Sequence, residues 1–122
     1  MLFCADVDDQ GRMSGYSFDV DPVYEGGGYL VREWCADREQ WNPIAHVSAA
    51  GAAGMNGLLE VRVTLDDGRL VASVNGETVL TVENLLQASI DRGRAGASGH
   101  RVGVQAWSST DLVIDELRLA NH

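Results

Sequence analysis

The chain has 122 residues, a net charge of -9, 45% hydrophobic residues and two cysteines. That length fits one domain with a continuous core, without disulfide or metal staples. The nine basic residues are all arginine and are scattered singly, so nucleic acid, which demands clustered cations, is not an expected partner, nor is an anionic membrane surface.

In chain order, "MLFCADVDD" opens with a strand near 1–7 and has neither a basic n-region nor an apolar h-region, so no secretory signal is expected in it. "GYSFDVD" alternates Tyr16, Phe18 and Val20 with Ser17, Asp19 and Asp21, the period of a half-buried strand over 15–21. Pro22 ends that strand, and "YEGGG" leads into "YLVREW", another strand over 28–35. A phosphate-binding glycine loop needs a helix after the glycines. Here a strand follows, so the glycines are expected to relieve a hairpin turn. A short strand over 44–48 precedes "AAGAAGMNG", a glycine-broken loop over 49–57.

"LEVRVTL" alternates again over 58–65, and "DDGR" and "VNGE" carry the Asp-Gly and Asn-Gly pairs of type I′ turns. Hairpins are expected at both, joining strands over 58–65, 69–75 and 78–82. "ENLLQAS" starts with a helical turn, and a Gly/Ser-rich loop follows to residue 100. "RVGVQAW" and "LVIDELRL" close the chain as strands over 101–107 and 112–119. No apolar run approaches the roughly 20 residues that span a bilayer, and no membrane insertion is expected. Many short strands with Gly, Asn and Asp turns predict an all-β antiparallel sandwich or barrel.

A turn over 22–27 sets Asp21 opposite Gly28, Asp19 opposite Leu30, Ser17 opposite Arg32 and Gly15 opposite Trp34. Cross-strand partners share a face. Tyr16, Phe18, Val20, Tyr29 and Val31 then face a core. Ser17, Asp19, Arg32 and Trp34 lie on the other side, as an exposed aromatic beside a charged pair. In "RVGVQAW" Val102, Val104 and Ala106 oppose Gly103, Gln105 and Trp107 in the same way. Two indoles on polar faces suit sugar recognition, since an aromatic face stacks on a pyranose while Asp19, Arg32 and Gln105 bond hydroxyls. The alternative is packing: each Trp covers a sheet edge, and Asp19 with Arg32 is a surface ion pair worth roughly 0–1 kcal/mol. The same pairing puts Cys4 near Ser17 and Cys35 near Ser14 on strands flanking a third, roughly 9–10 Å apart and beyond disulfide reach. Free thiols are expected.

The order of "MLFCADVDDQGRMSGYSFDVDP", "GGGYLVREW", "LLEVRVTLDDGRLVASVNGETVLTV" and "RVGVQAWSSTDLVIDELRLA" resembles concanavalin A-like, or laminin G-like, jelly-roll domains. The resemblance implies two curved antiparallel sheets with a concave ligand face, in a superfamily of lectins, 3-keto-disaccharide hydrolase-like domains and glucanases. It also implies an extracellular or cell-surface setting. Such domains carry further N-terminal strands ahead of "MLFCADV". Their lack implies either a compact version or a sheet completed by another chain, with a homodimer through an open edge as one outcome. Family 16 glycosidases place acids as E-x-D-x-x-E; the nearest match, "DVDPVYE", offers Asp19, Asp21 and Glu25, begins with the shorter acid and is broken by Pro22. No catalytic residue is assigned. No cofactor is required; the resemblance admits a structural Ca²⁺ near Asp91, Asp111 and Asp115. The expected ligand is a carbohydrate at Asp19, Arg32, Trp34, Gln105 and Trp107. An assembly module with an open sheet edge and a glycoside-acting hydrolase are the rival readings.

Overall fold

The computed structural model describes residues 1–40, 42–49, 58–106, 113–114 and 116–120. Strands β1 (Leu2–Val7) and β2 (Met13–Asp21) form the first hairpin, whose turn is tied by Asp8 accepting from the amides of Gln10 and Arg12. A bulge shifts the register between Phe3, which faces Tyr16, and Asp6, which faces Ser14. Cys4 sits in the bulge with φ at 48°. Gly15 permits the close approach there, since a Cβ on it would lie 2.9 Å from the Ala5 Cα.

β3 (Gly28–Cys35) pairs with β2 from Asp21 opposite Gly28 to Gly15 opposite Trp34, the register the alternation implies. Between them runs a short 3₁₀ turn at Tyr24–Gly26, with Gly26 and Gly27 at φ 86° and 105°. The triple glycine thus reverses the chain. Two short strands use the free edge of β3: β4 (Arg38–Glu39) pairs with its end, and β5 (Ala45–Ser48) with its start.

β6 (Val61–Asp66), β7 (Arg69–Val74) and β8 (Glu77–Val82) form an antiparallel meander. Asp67 and Gly68 have φ of 45° and 80°, Asn75 and Gly76 of 51° and 82°. Positive φ at both central residues is what a type I′ turn requires. Helix α1 (Leu85–Ile90) follows, with the Asn84 side chain accepting from the Gln87 amide as its N-cap. β9 (Arg101–Gly103) returns to pair with β1. The described residues therefore build one sheet ordered β4-β3-β2-β1-β9, with β5 also on β3, and a three-stranded sheet β6-β7-β8.

One apolar cluster joins the two sheets. Tyr16, Phe18 and Val31 come from the larger sheet, Leu70, Ala72, Val74, Leu80 and Val82 from the meander, and Phe3, Ile44 and Leu85 complete it. Phe3 stacks on Tyr16 at 5.9 Å and Phe18 on Tyr29 at 6.2 Å. The Tyr16 hydroxyl, buried in this cluster, is satisfied by the Ser89 hydroxyl at 3.0 Å and the Ala97 amide at 3.1 Å. Arg92 donates to the Ile44 carbonyl and Arg94 to the Asn42 carbonyl, tying the loop after α1 to the connection between β4 and β5.

The architecture is antiparallel β with one short helix. Several expected boundaries move. The strand over 58–65 begins at Val61 and ends at Asp66, and the one over 101–107 stops at Gly103, opposite Leu2 where β1 starts. Of the expected strand over 112–119, residues 113–114 and 116–119 are irregular, and 112 and 115 lie outside the described residues. The expected loop over 49–57 also lies outside them from residue 50 onward. β4 was not expected, because two residues are too few for a period.

Truncating Leu70, which is fully buried, to alanine is expected to cost about 2–5 kcal/mol of stability. Val23→Ala, on an exposed turn, is expected to stay within about 0.5 kcal/mol of the parent. Denaturant unfolding with a common slope checks both.

Candidate functional site

Alternation turns Ser17, Asp19 and Asp21 of β2 and Leu30, Arg32 and Trp34 of β3 away from the shared core. This outer face holds a connected polar network centred on Arg32, which is only 4% exposed. Its Nη1 donates to Asp19 Oδ2 at 2.7 Å, its Nη2 to Asp21 Oδ2 at 3.2 Å, and its Nε pairs with Glu39 Oε1. The guanidinium carbon lies 5.5 Å from the centre of the Tyr24 ring, within cation–π range. Asp19 Oδ2 also accepts from the Ser17 hydroxyl, and Ser17 Oγ accepts from the Trp34 indole N–H at 2.9 Å.

The neighbouring turn completes the cluster. Asp21 Oδ1 accepts from the amides of Val23 and Tyr24 at 2.9 and 3.0 Å, which fixes the 3₁₀ turn and brings Tyr24 over Arg32. Tyr24 meets His46 edge-on at 5.0 Å, and His46 Nδ1 lies 3.5 Å from Glu25 Oε2. His46 lies against the backbone of Gly28, where a Cβ would come within 2.6 Å of its Nε2.

Three carboxylates share one guanidinium here. Burial works against the Arg32 charge, but the bond and charge of Asp19, the charge of Glu39 and the bond to Asp21 outweigh it and raise its pKa. Burial likewise opposes ionisation of Asp21, yet the Val23 and Tyr24 amides and the Arg32 guanidinium prevail and hold its carboxyl below the usual range. The face carries an excess of acceptors, held in fixed directions.

Of the sequence-derived site residues, Asp19, Arg32 and Trp34 do come together, on the expected face. Their exposure differs from expectation. Arg32 is buried and Asp19 half-buried, a networked pair and not a surface one, because the 3₁₀ turn and β4 bring Tyr24 and Glu39 onto the guanidinium. Trp34 is 7% exposed, with its N–H engaged by Ser17, so it is no open platform. Gln105 is exposed past the end of β9. β2 and β1 separate β9 from β3, about 14 Å over three strand spacings, so Gln105 does not join Arg32. Trp107 lies outside the described residues.

Asp111 and Asp115, two of the three oxygens considered for calcium, also lie outside them; Asp91 caps α1 and accepts from the Gln87 side chain at 2.8 Å. Among the described residues no group of three or more His, Cys, Asp or Glu side chains is arranged to hold a metal. In the acidic pattern, Asp19 and Asp21 both bind Arg32, while Glu25 turns to His46. Cys4 and Cys35 are free, on strands that flank β2. Leu2, not Cys4, faces Ser17: the turn end already pairs one residue off the expected register, with Asp6 opposite Ser14, and the β1 bulge adds one more. Burial pushes the Cys4 thiol pKa up. Among the described residues no helix is long and apolar enough to cross a membrane.

Tyr24, Glu39 and His46 were missed as members of the site. Asp21 shares parity with Asp19 and was readable; Tyr24 and Glu39 reach the site through a turn and a two-residue strand that leave no periodic signal, and His46 lies on β5, whose pairing with β3 alternation does not give. Compared with protein-family models, curated proteins and solved structures, the chain matches none.

Arg32→Ala leaves half-buried carboxylates without their cation and is expected to cost about 3–5 kcal/mol. Glu39→Gln, at a 40% exposed side chain, is expected to cost about 0–1 kcal/mol. Chemical unfolding of the two variants checks this. The Asp21 pKa is depressed in the folded state, so its stabilisation is present above the unfolded value near 3.9 and is lost as pH falls through the folded value. Asp21→Asn is therefore expected to be less stable at pH 7 and to show a flatter loss of stability below about pH 4 in an acid titration of unfolding.

Proposed function

We propose that the chain is a non-catalytic carbohydrate-binding module of the concanavalin A-like, laminin G-like jelly-roll type, with the outer face of β2 and β3 as its ligand surface. Two antiparallel sheets on one core, and the sequence resemblance, support that type. The observation that carries the ligand reading is the set of three partly exposed carboxylates, Asp19, Asp21 and Glu39, aligned by one buried guanidinium. Ionised carboxylates only accept hydrogen bonds, and sugar hydroxyls supply donors in pairs. Groups already locked by Arg32 lose little freedom on binding.

In this reading Arg32 orients the acceptors, and half-buried Tyr24 supplies the aromatic surface. Trp34 acts through Ser17 to hold Asp19. Gln105 reaches the same ligand only if that ligand extends across the sheet. The assembly reading is favoured by a separate observation: among the described residues β6 pairs with β7 alone.

A glycan array followed by calorimetry with the bound oligosaccharide tests the proposal. The parent is expected to bind, and Glu39→Gln and Tyr24→Ala, both at accessible side chains, are expected to weaken binding about tenfold or more. Trp34→Phe is expected to bind more weakly through loss of the Ser17 contact. A parent chain that binds no glycan, or variants that bind as the parent does, would end this reading.

A further inference from the structure

Among the described residues the meander has two edge strands, β6 and β8, and β6 is the one beside the larger of its clefts. Among the described residues β6 pairs with β7 alone, and beside it lies a cleft of about 820 Å³ lined by residues 60–63 and Leu65, by Phe3 and Cys4, and by residues 99–103 and 116–120 of the same chain. β6 has no proline and no bulge in its pairing with β7, and its charges are Arg62 and Asp66, with Glu60 just before it. Leu58, just before it, and Leu65 within it are exposed.

Backbone directions along this edge are fixed by the residue before it. The Glu60 amide donates to Asn75 Oδ1 at 3.0 Å, and the Glu60 carbonyl accepts from the Asn75 amide at 2.8 Å. Glu60 therefore spends both groups toward β7. Alternation assigns the N–H and C=O groups of Val61, Val63 and Leu65 to the free edge.

We propose that a second copy of this chain pairs there, β6 against β6, antiparallel about a twofold axis at Val61. In that register Val61 faces Val61, Leu59 faces Val63 twice, and Glu60 faces Arg62 twice. Apolar residues meet on the inner face and opposite charges on the outer one. The neighbouring registers that keep faces matched are worse: a twofold at Arg62 sets Arg62 against Arg62, one at Glu60 sets Glu60 against Glu60, and one at Val63 sets Glu60 against Asp66. Shifts of a single residue in the pairing set apolar against polar faces. A twofold at Thr64 also pairs opposite charges, Arg62 with Asp66 twice, but sets Val61 against Asp67 of the turn, so charge and apolar matching together select the twofold at Val61. Within one copy Glu60 and Arg62 lie 3.6 Å apart with both side chains mostly exposed, so both are accessible to a partner strand. The product is a continuous six-stranded sheet, β8-β7-β6 from each copy. This pairing is independent of the carbohydrate reading and uses none of its residues.

Sedimentation equilibrium and light scattering on the full chain test it. The expected mass is twice 13.1 kDa at about 10 µM. Glu60→Arg and Arg62→Glu, each alone, are expected to weaken association about tenfold or more, and the double reversal to restore it. Both sites are exposed, so circular dichroism is expected to stay unchanged in all three variants. A parent chain that remains monomeric at about 100 µM, as when its own residues 116–120 occupy the edge, overturns the proposal. So does a dimer whose dissociation constant is indifferent to the single reversals.

Discussion

The pairing of β2 with β3 is the constraint from which the rest follows. Seven consecutive residue pairs run without a bulge from Asp21 and Gly28 to Gly15 and Trp34. A slip of one residue would turn Tyr16 and Phe18 out to solvent and carry Asp19 and Asp21 into the core, so the register is held by burial on one face and ion pairing on the other. The turn enforces the same answer: Asp21 bonds the amides of Val23 and Tyr24, and Gly26 and Gly27 supply the positive φ that closes the hairpin.

Arg32 shows how a polar residue can be buried at tolerable cost. Removing a guanidinium from water is expensive, and the expense is offset only when its donors and charge are met. Asp19, Asp21 and Glu39 meet them, and the Tyr24 ring covers the remaining face. On the opposite side of the same strand, buried Glu33 lies 3.7 Å from Arg94 of the loop after α1. β3 is thus held through charges on both faces. Those interactions do less for net stability than for uniqueness: they fix which turn and which loop lie over the sheet. That fixed geometry makes the outer face a candidate for ligand recognition, because the acceptors are aligned before anything binds.

The two sheets differ in how their edges are treated. β3 sits between β2 and the short strands β4 and β5, and its apolar face is covered by the meander. Among the described residues β6, β8 and β9 each have a neighbour on one side only. A polar face with an excess of aligned acceptors and the edge of β6 are different kinds of surface, and the partners proposed for them differ accordingly: a small polyhydroxylated ligand for the first, a strand of a second copy for the second.

The strand periods, the type I′ turns at Asp67–Gly68 and Asn75–Gly76, the turn at the triple glycine and the register of Asp19, Arg32 and Trp34 were all legible in the sequence. Each depends on local chemistry: side chains alternate across a strand, and few residue pairs accept positive φ. Burial of Trp34 and Arg32 was not legible, because alternation says which face a side chain takes and nothing about what lies over that face. Tyr24 and Glu39 reach Arg32, and His46 reaches Tyr24, from three separate segments, and only the folded chain brings those segments together. The displaced position of Cys4 has a related origin: the hairpin turn closes one residue off the expected register and the bulge adds one more, and a bulge leaves no mark in the pattern of either strand alone.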